Sequence, residues 1–114
     1  MDYNKIGEKI RFIRTHELKL IREKFAEEVG VSNLTLARLE NGNRKIKNIE
    51  IYERIANVTG YSINELLDTS SSLITKPIKD KLNCLLDNLT DDELQYVYDF
   101  VRNFIHYTNQ RSSD

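Results

Sequence analysis

The 114-residue chain has few of the residues that build disulfide scaffolds, membrane anchors or loop-rich domains. Its single cysteine, Cys84, excludes an intramolecular disulfide and is typical of a protein in a reducing compartment. One proline and four glycines leave few helix breakers. Neither a secretory signal peptide nor an apolar run of membrane-spanning length is apparent. We therefore expect a soluble, cytoplasmic, helix-rich protein with one small domain and an extension.

The net charge is also small, at −1, but the charges are unevenly divided. Residues 1–48 contain eleven Lys or Arg and seven Asp or Glu, whereas residues 70–114 contain five and seven. A surface that attracts a polyanion therefore has to lie in the N-terminal half.

The usual catalytic and metal-binding motifs are missing as well. There is no glycine-rich phosphate loop, no nucleophile elbow and no motif of paired carboxylates. His16 and His106 are far apart in sequence, and no cysteine or carboxylate cluster has metal-ligand spacing. These absences favour a protein that is not an enzyme and that holds no metal ion or cofactor.

The most informative stretch runs from Ser32 to Gly42, with the sequence SNLTLARLENG. Ser32 suits the N-cap of a helix because its hydroxyl can accept a backbone N–H, and Gly42 can adopt the left-handed conformation that ends one. At about 100° per residue such a helix has two different faces. The inward face holds Thr35, Leu36 and Leu39. The outward face holds Asn33, Leu34, Ala37, Arg38 and Asn41.

This outward face carries side chains that read base edges in the major groove of DNA. Asparagine pairs with adenine, arginine pairs with guanine, and leucine or alanine contacts the thymine methyl group. The same face would also fit an ordinary solvated surface helix with one exposed leucine. The segment before Ser32 distinguishes between these two interpretations.

Two helices are predicted before this stretch. The first spans about residues 4–16 and has isoleucines at helical spacing. The second begins near Arg22 and is stopped by Gly30. Ala26 is small enough for two helices to cross closely through a short turn. The sequence therefore predicts a helix, a tight glycine turn and a second helix.

Three segments, IGEKIR at 6–11, FAEEVGVS at 25–32 and LENG at 39–42, closely resemble the helix-turn-helix of the Cro and lambda-repressor type, the xenobiotic-response-element family. The resemblance covers about residues 6–67. It implies an all-α fold with a five-helix, lambda-repressor-like domain that binds double-stranded DNA.

The resemblance also assigns roles to individual residues. Base edges are expected to meet Asn33, Leu34 and Arg38, and we add Ala37 from the same face. Phosphates are expected to meet Arg22, Asn41, Asn43, Arg44 and Lys45, to which we add Ser32 at the helix start and Lys47 from the basic loop. A largely buried ion pair between Arg14 and Glu40 is implied as a structural feature.

The connection between the first two helices departs from the family pattern. The family usually has glycine there and Thr or Ser as the cap of helix 2, whereas this chain has ELKLI at 17–21. The connection is one residue longer and has no good capping residue, so the family pattern does not determine the path of this connection or the presentation of Arg22.

The remaining helices divide the chain into three parts. A fourth helix ends at Gly60, and the capping box Ser62–Glu65 opens a short fifth helix, which completes a domain at 1–68. Serine-rich residues 69–76 are predicted to be a linker. Pro77 suits the first turn of a new helix, and the capping box Thr90–Glu93 opens a last helix to about residue 107. Residues 77–108 are therefore expected to form a C-terminal helical hairpin.

The last helix is apolar on two sides. Its broad face, expected to cover the preceding helix, holds Leu94, Val97, Tyr98, Val101, Phe104 and Ile105. A second cluster on nearly the opposite side holds Tyr96, Phe100 and Tyr107. A helix with two apolar sides is usually buried on both. We expect a homodimer interface made by Tyr96, Val97, Phe100, Phe104 and Tyr107, the alternative being that Tyr96 and Phe100 pack on the chain's own first domain.

These features predict a sequence-specific DNA-binding transcriptional regulator, encoded by a bacterium or phage. We expect a dimeric repressor that binds a palindromic operator through the helix at residues 32–41. One alternative is an antitoxin that binds its own operator and also neutralises a toxin. An alternative from another class is an adaptor whose helices contact only proteins.

Overall fold

The structure, a computed structural model, describes residues 2–43, 48–70 and 76–112. Within these ranges the chain is all-α, as predicted, with seven α-helices, one π-helical turn and no strand. The helices are α1 (Tyr3–Phe12), α2 (Arg22–Val29), α3 (Asn33–Glu40), α4 (Ile49–Thr59), α5 (Ile63–Leu67), α6 (Ile78–Leu86) and α7 (Asp91–Ser112). A π-helical turn at Ile13–Glu17 directly extends α1.

The predicted helix ends are set by local hydrogen bonds. Ser32 Oγ accepts the N–H of Thr35 at 3.0 Å and so caps α3. Reciprocal capping boxes open α5, between Ser62 and Glu65, and α7, between Thr90 and Glu93. The helix starts that the sequence predicted at Ser32, Ser62 and Thr90 are thus confirmed.

The first five helices enclose one apolar core. Phe25, Ile10, Leu36, Ile55 and Leu66 are completely buried in it. α1 packs against α3 and α5, while α2 packs against α3 and α4. The α1–α3 contact is especially close, because a Cβ atom on Gly7 would lie 2.5 Å from the backbone oxygen of Glu40. This packing holds the outward face of α3 at the surface.

The π-helical turn accommodates the long first connection. The N–H of Leu18 donates to the carbonyl of Ile13, five residues earlier, at 2.9 Å. Such a widened turn absorbs an extra residue without ending the helix. The chain then reverses through Lys19, whose φ of 55° lies in the left-handed region that favours glycine. α2 begins at Arg22 with no side-chain cap, as its sequence indicates.

The two C-terminal helices are present and joined by a short turn, but most of the broad apolar face of α7 is exposed. α6 packs on α4 of the first domain, although Ile78 and Leu82 of its apolar stripe are exposed. The expectation that α6 covers the broad face of α7 is wrong, because only Leu94 and Val97 of that face are half-buried. A nine-residue helix spans about 13 Å and a 22-residue helix about 33 Å, so α6 is too short to cover α7.

Candidate nucleic-acid interface

The recognition face of α3, defined as Asn33, Leu34, Ala37, Arg38 and Asn41, points away from the core. Ala37 is half-buried and the other four side chains are exposed. Leu36 and Leu39, on the opposite side of the helix, are buried and anchor α3 to α1 and α2. The recognition face therefore presents two amides, one guanidinium and two apolar side chains together.

Asn33 and Arg38 keep their hydrogen-bonding groups available. Within residues 2–43, 48–70 and 76–112, neither side chain has a hydrogen-bond or ion-pair partner. Leu34 lies beside them and is exposed, although exposure of its apolar side chain to water does not stabilise the fold. This combination of free donors and acceptors with an apolar contact suits base edges in the major groove.

Glu40, the last residue of α3, is surrounded by three arginines. Its carboxylate accepts hydrogen bonds from Arg14, from Nε at 2.7 Å and from Nη2 at 3.0 Å. The Nε atoms of Arg11 and Arg22 lie 3.5 Å and 3.4 Å from Glu40 Oε1. Arg14 is buried, whereas Arg11 and Arg22 are about half-exposed. One carboxylate facing three guanidinium groups leaves an excess of positive charge beside the recognition face.

Arg22 and Arg11 are oriented by this cluster rather than freely solvated. Arg22, expected at a phosphate from the sequence, directs Nε towards Glu40 and keeps the rest of its guanidinium half-exposed. Arg11 was not predicted as a DNA contact, yet it lies one helical turn before Arg14 and also donates to Asn41 Oδ1 at 2.9 Å. Arg11 and Arg14 are three residues apart and therefore lie on the same side of the helix. This spacing is the feature of the sequence that could have indicated a role for Arg11.

The other expected phosphate contacts are placed as follows. Ser32 uses its hydroxyl within α3, since Oγ also donates to Thr35 Oγ1 at 2.8 Å. Asn41 is exposed and holds Arg11, and Asn43 is half-buried with a partner of its own. Arg44, Lys45 and Lys47 lie outside the described residues.

A family model described as "Helix-turn-helix" matches residues 10–66, which is half of the chain. The chain belongs to the helix-turn-helix family of the Cro and lambda-repressor type. This helix-turn-helix protein is a DNA-binding transcriptional regulator, and its family is a regulatory rather than an enzymatic one. No curated protein and no solved structure matches the chain.

The described part of the chain offers neither a membrane-spanning helix nor a cluster of metal ligands. No helix there is both long enough and apolar enough to cross a lipid bilayer. No three His, Cys, Asp or Glu side chains within the same ranges are grouped so that they could hold a metal ion.

Proposed function

We propose that this regulator is a homodimeric repressor that binds a palindromic operator. In this proposal residues 1–68 read the DNA, residues 69–76 link the two parts, and the C-terminal helices at 77–108, of which α7 continues to Ser112, make the dimer. The observation that carries the dimer is the exposed apolar surface of α7.

The two apolar clusters of α7, expected on nearly opposite sides of the helix, instead adjoin and form one wide surface. Tyr96 is 78% exposed and Phe100 is 70% exposed, and Phe104, Ile105 and Tyr107 are also exposed. On a helical wheel the nine apolar residues from Leu94 to Tyr107 occupy one arc of about 200°, and the polar residues occupy the rest. Apolar surface of this extent is uncommon on a monomer and marks an interaction site.

A second copy of α7 is the occupant that these features favour. The same helix on a symmetry-related subunit offers an identical apolar arc, as a two-fold interface requires. The chain's own first domain leaves Tyr96 and Phe100 uncovered. One helix-turn-helix reads few base pairs, whereas a dimer reads two half-sites about 34 Å apart or a multiple of that.

In this dimer each α3 lies in the major groove. Arg38 pairs with a guanine, Asn33 pairs with an adenine, and Leu34 or Ala37 contacts a thymine methyl group. Arg22, Asn41 and Asn43, with the basic residues Arg44, Lys45 and Lys47, meet phosphates and fix the register of the protein on DNA. Repression then needs no further surface, because an occupied operator excludes other proteins from a promoter.

Sedimentation and selection of bound sequences from random DNA test this proposal together. We expect a dimer at micromolar concentration and a selected palindrome with two half-sites. Phe100→Glu should give a folded monomer with much weaker operator binding, whereas Gln95→Glu, on the polar arc, should remain dimeric. A monomeric wild type that selects single half-sites would contradict the dimer.

Three further outcomes separate the alternatives. A promoter that carries the selected operator should be silenced by the protein, and stimulation would contradict repression. A protein that shows no salt-dependent DNA binding would be an adaptor. A protein that also neutralises the product of a neighbouring toxin gene would be an antitoxin.

A further inference from the structure

Outside the DNA-binding face, the densest group of charged and polar side chains is at the junction between α6 and the first domain. We name this group the α6 clamp and define it as Glu17, Tyr61, Glu65, Lys76 and Lys81. It joins the π-helical turn, the segment between α4 and α5, α5 itself, the residue before Pro77 and the first turn of α6. The helix-turn-helix itself uses none of these side chains.

Glu17 is the centre of the clamp. Its carboxylate accepts the Tyr61 hydroxyl at 2.7 Å and Lys81 Nζ at 2.8 Å. The Glu17 side chain is 13% exposed and that of Lys81 is 18% exposed, so this ion pair is largely removed from water. A buried pair of this kind demands a defined geometry, since either partner alone would be a stranded charge.

Lys76 fastens the start of α6 from the other side. Its Nζ donates to the Gly60 carbonyl at 2.9 Å and to Glu65 Oε1 at 2.7 Å. Its backbone N–H donates to the Tyr61 hydroxyl at 3.3 Å. Lys76 and Lys81 both lie within 6 Å of the centre of the Tyr61 ring. α6 is thus held at two lysines that flank one tyrosine.

The backbone of α6 also lies directly on Gly60. A Cβ atom at Gly60 would be 2.7 Å from the backbone oxygen of Lys81 and 3.0 Å from its Cα atom. Contact this close leaves α6 little freedom to tilt or slide. The turn before α7 is closed by backbone hydrogen bonds from Asp87, Asn88 and Leu89 to carbonyls at the end of α6, so the start of α7 is tied to the end of α6.

The π-helical turn connects this junction to the recognition helix. Arg14 and Glu17 lie three residues apart on it, and Arg14 holds Glu40 at the end of α3 while Glu17 holds α6. The same turn accommodates the first connection, which is one residue longer than the family pattern. A single rigid element therefore contacts both the DNA-reading helix and the support of α7.

From this arrangement we infer that the α6 clamp determines which half-site spacing the dimer accepts. By fixing α7 relative to α3 within each subunit, it fixes the separation and rotation of the two recognition helices. One added base pair moves a half-site by about 3.4 Å and turns it by about 35°. Glu17, Lys81 and Lys76 are therefore positioning residues for operator spacing, an inference that rests on the proposed dimer.

Operators that differ only in spacing test the inference. Wild type should bind the selected spacing at least about tenfold more tightly than spacings one base pair longer or shorter. In Glu17→Gln and in Lys81→Met this preference should shrink to about threefold or less, while affinity for a single half-site and the dimer stay unchanged. Lys79→Met, at an exposed position of α6, should retain the wild-type preference.

An intrachain distance measurement separates failure of this inference from failure of the dimer. Spin labels at Lys24→Cys on α2 and Asn83→Cys on α6, in a Cys84→Ser background diluted with unlabelled protein, report the position of α6 within one subunit. The distance distribution should be narrow in wild type and broad in Lys81→Met. A folded clamp variant with unchanged spacing preference or an equally narrow distribution would overturn the inference, whereas a wild type without any preferred spacing would overturn the proposed dimer.

Discussion

Arg14 Nε lies 2.7 Å from Glu40 Oε2, at a place where the Arg14 side chain is 9% exposed and that of Glu40 is fully buried. This ion pair joins the π-helical turn to the end of the recognition helix. Arg14 also donates to the carbonyl of Leu20, so the same guanidinium stabilises the unusual first connection. The pair is thus a structural support of the DNA-binding surface.

Removal of one partner of this pair should be strongly destabilising. Glu40→Ala leaves the Arg14 guanidinium buried without its carboxylate, and we expect the free energy of unfolding to fall by about 3 to 5 kcal/mol. Denaturant unfolding measures this loss. The double variant Arg14→Met with Glu40→Leu should recover most of it, because no fully buried charge is left unpaired and the half-exposed Arg11 and Arg22 can be solvated. A Glu40→Ala melting temperature within about 2 °C of wild type would contradict the role of the pair.

Apart from the Arg14–Glu40 pair, which the family resemblance implies, the features predicted from the sequence are those that depend on neighbouring residues. The caps at Ser32 and at Ser62–Glu65, and the buried face of α3, follow from spacings of a few residues. Glu17 and Lys81 meet although they are 64 residues apart, and no local pattern indicates such a contact. The uncovered state of α7 was also missed, because periodicity shows that a face is apolar and does not show which surface covers it.

Lys19 occupies a backbone conformation that costs a side chain about 1 to 2 kcal/mol. Lys19→Gly should remove this cost from the folded state. About half of the resulting stabilisation should be offset, because glycine has more conformational freedom in the unfolded chain. We expect a net stabilisation of about 0.5 to 1 kcal/mol from the urea midpoint. As a control, Lys24→Gly inside α2 should destabilise the protein by about 1 kcal/mol. A destabilised Lys19→Gly would argue against the left-handed conformation.

Burial, followed by the hydrogen bond to Glu17, raises the pKa of Tyr61 to about 12. The unfolded value is about 10, so the folded state favours the protonated phenol. The raised pKa of Tyr61 therefore stabilises the folded state. This stabilisation is fully present below pH 10 and is lost as the pH rises through about 12. The charged groups around the phenol are Glu17, Glu65, Lys76 and Lys81.

Alkaline absorbance titration isolates this group as the difference between wild type and Tyr61→Phe. The other five tyrosines are present in both proteins, so their contribution to the absorbance largely cancels. The difference should show one step near pH 12, and Glu17→Gln should move that step towards lower pH. A step at the ordinary tyrosine value in wild type would show that the Tyr61–Glu17 contact is absent.

The central claim is that α3 reads DNA sequence through Arg38, and a panel of single-base operator variants tests it most directly. For wild type, replacing the guanine that pairs with Arg38 should cost about 1 to 3 kcal/mol of binding free energy, and Arg38→Ala should lose discrimination at that position alone. Arg22→Ala, at a proposed phosphate contact, should instead weaken binding to every variant evenly and lower the salt slope by about one. If Arg38→Ala weakened binding to all variants equally and left every base preference intact, Arg38 would not be a base contact and the account of α3 would be wrong.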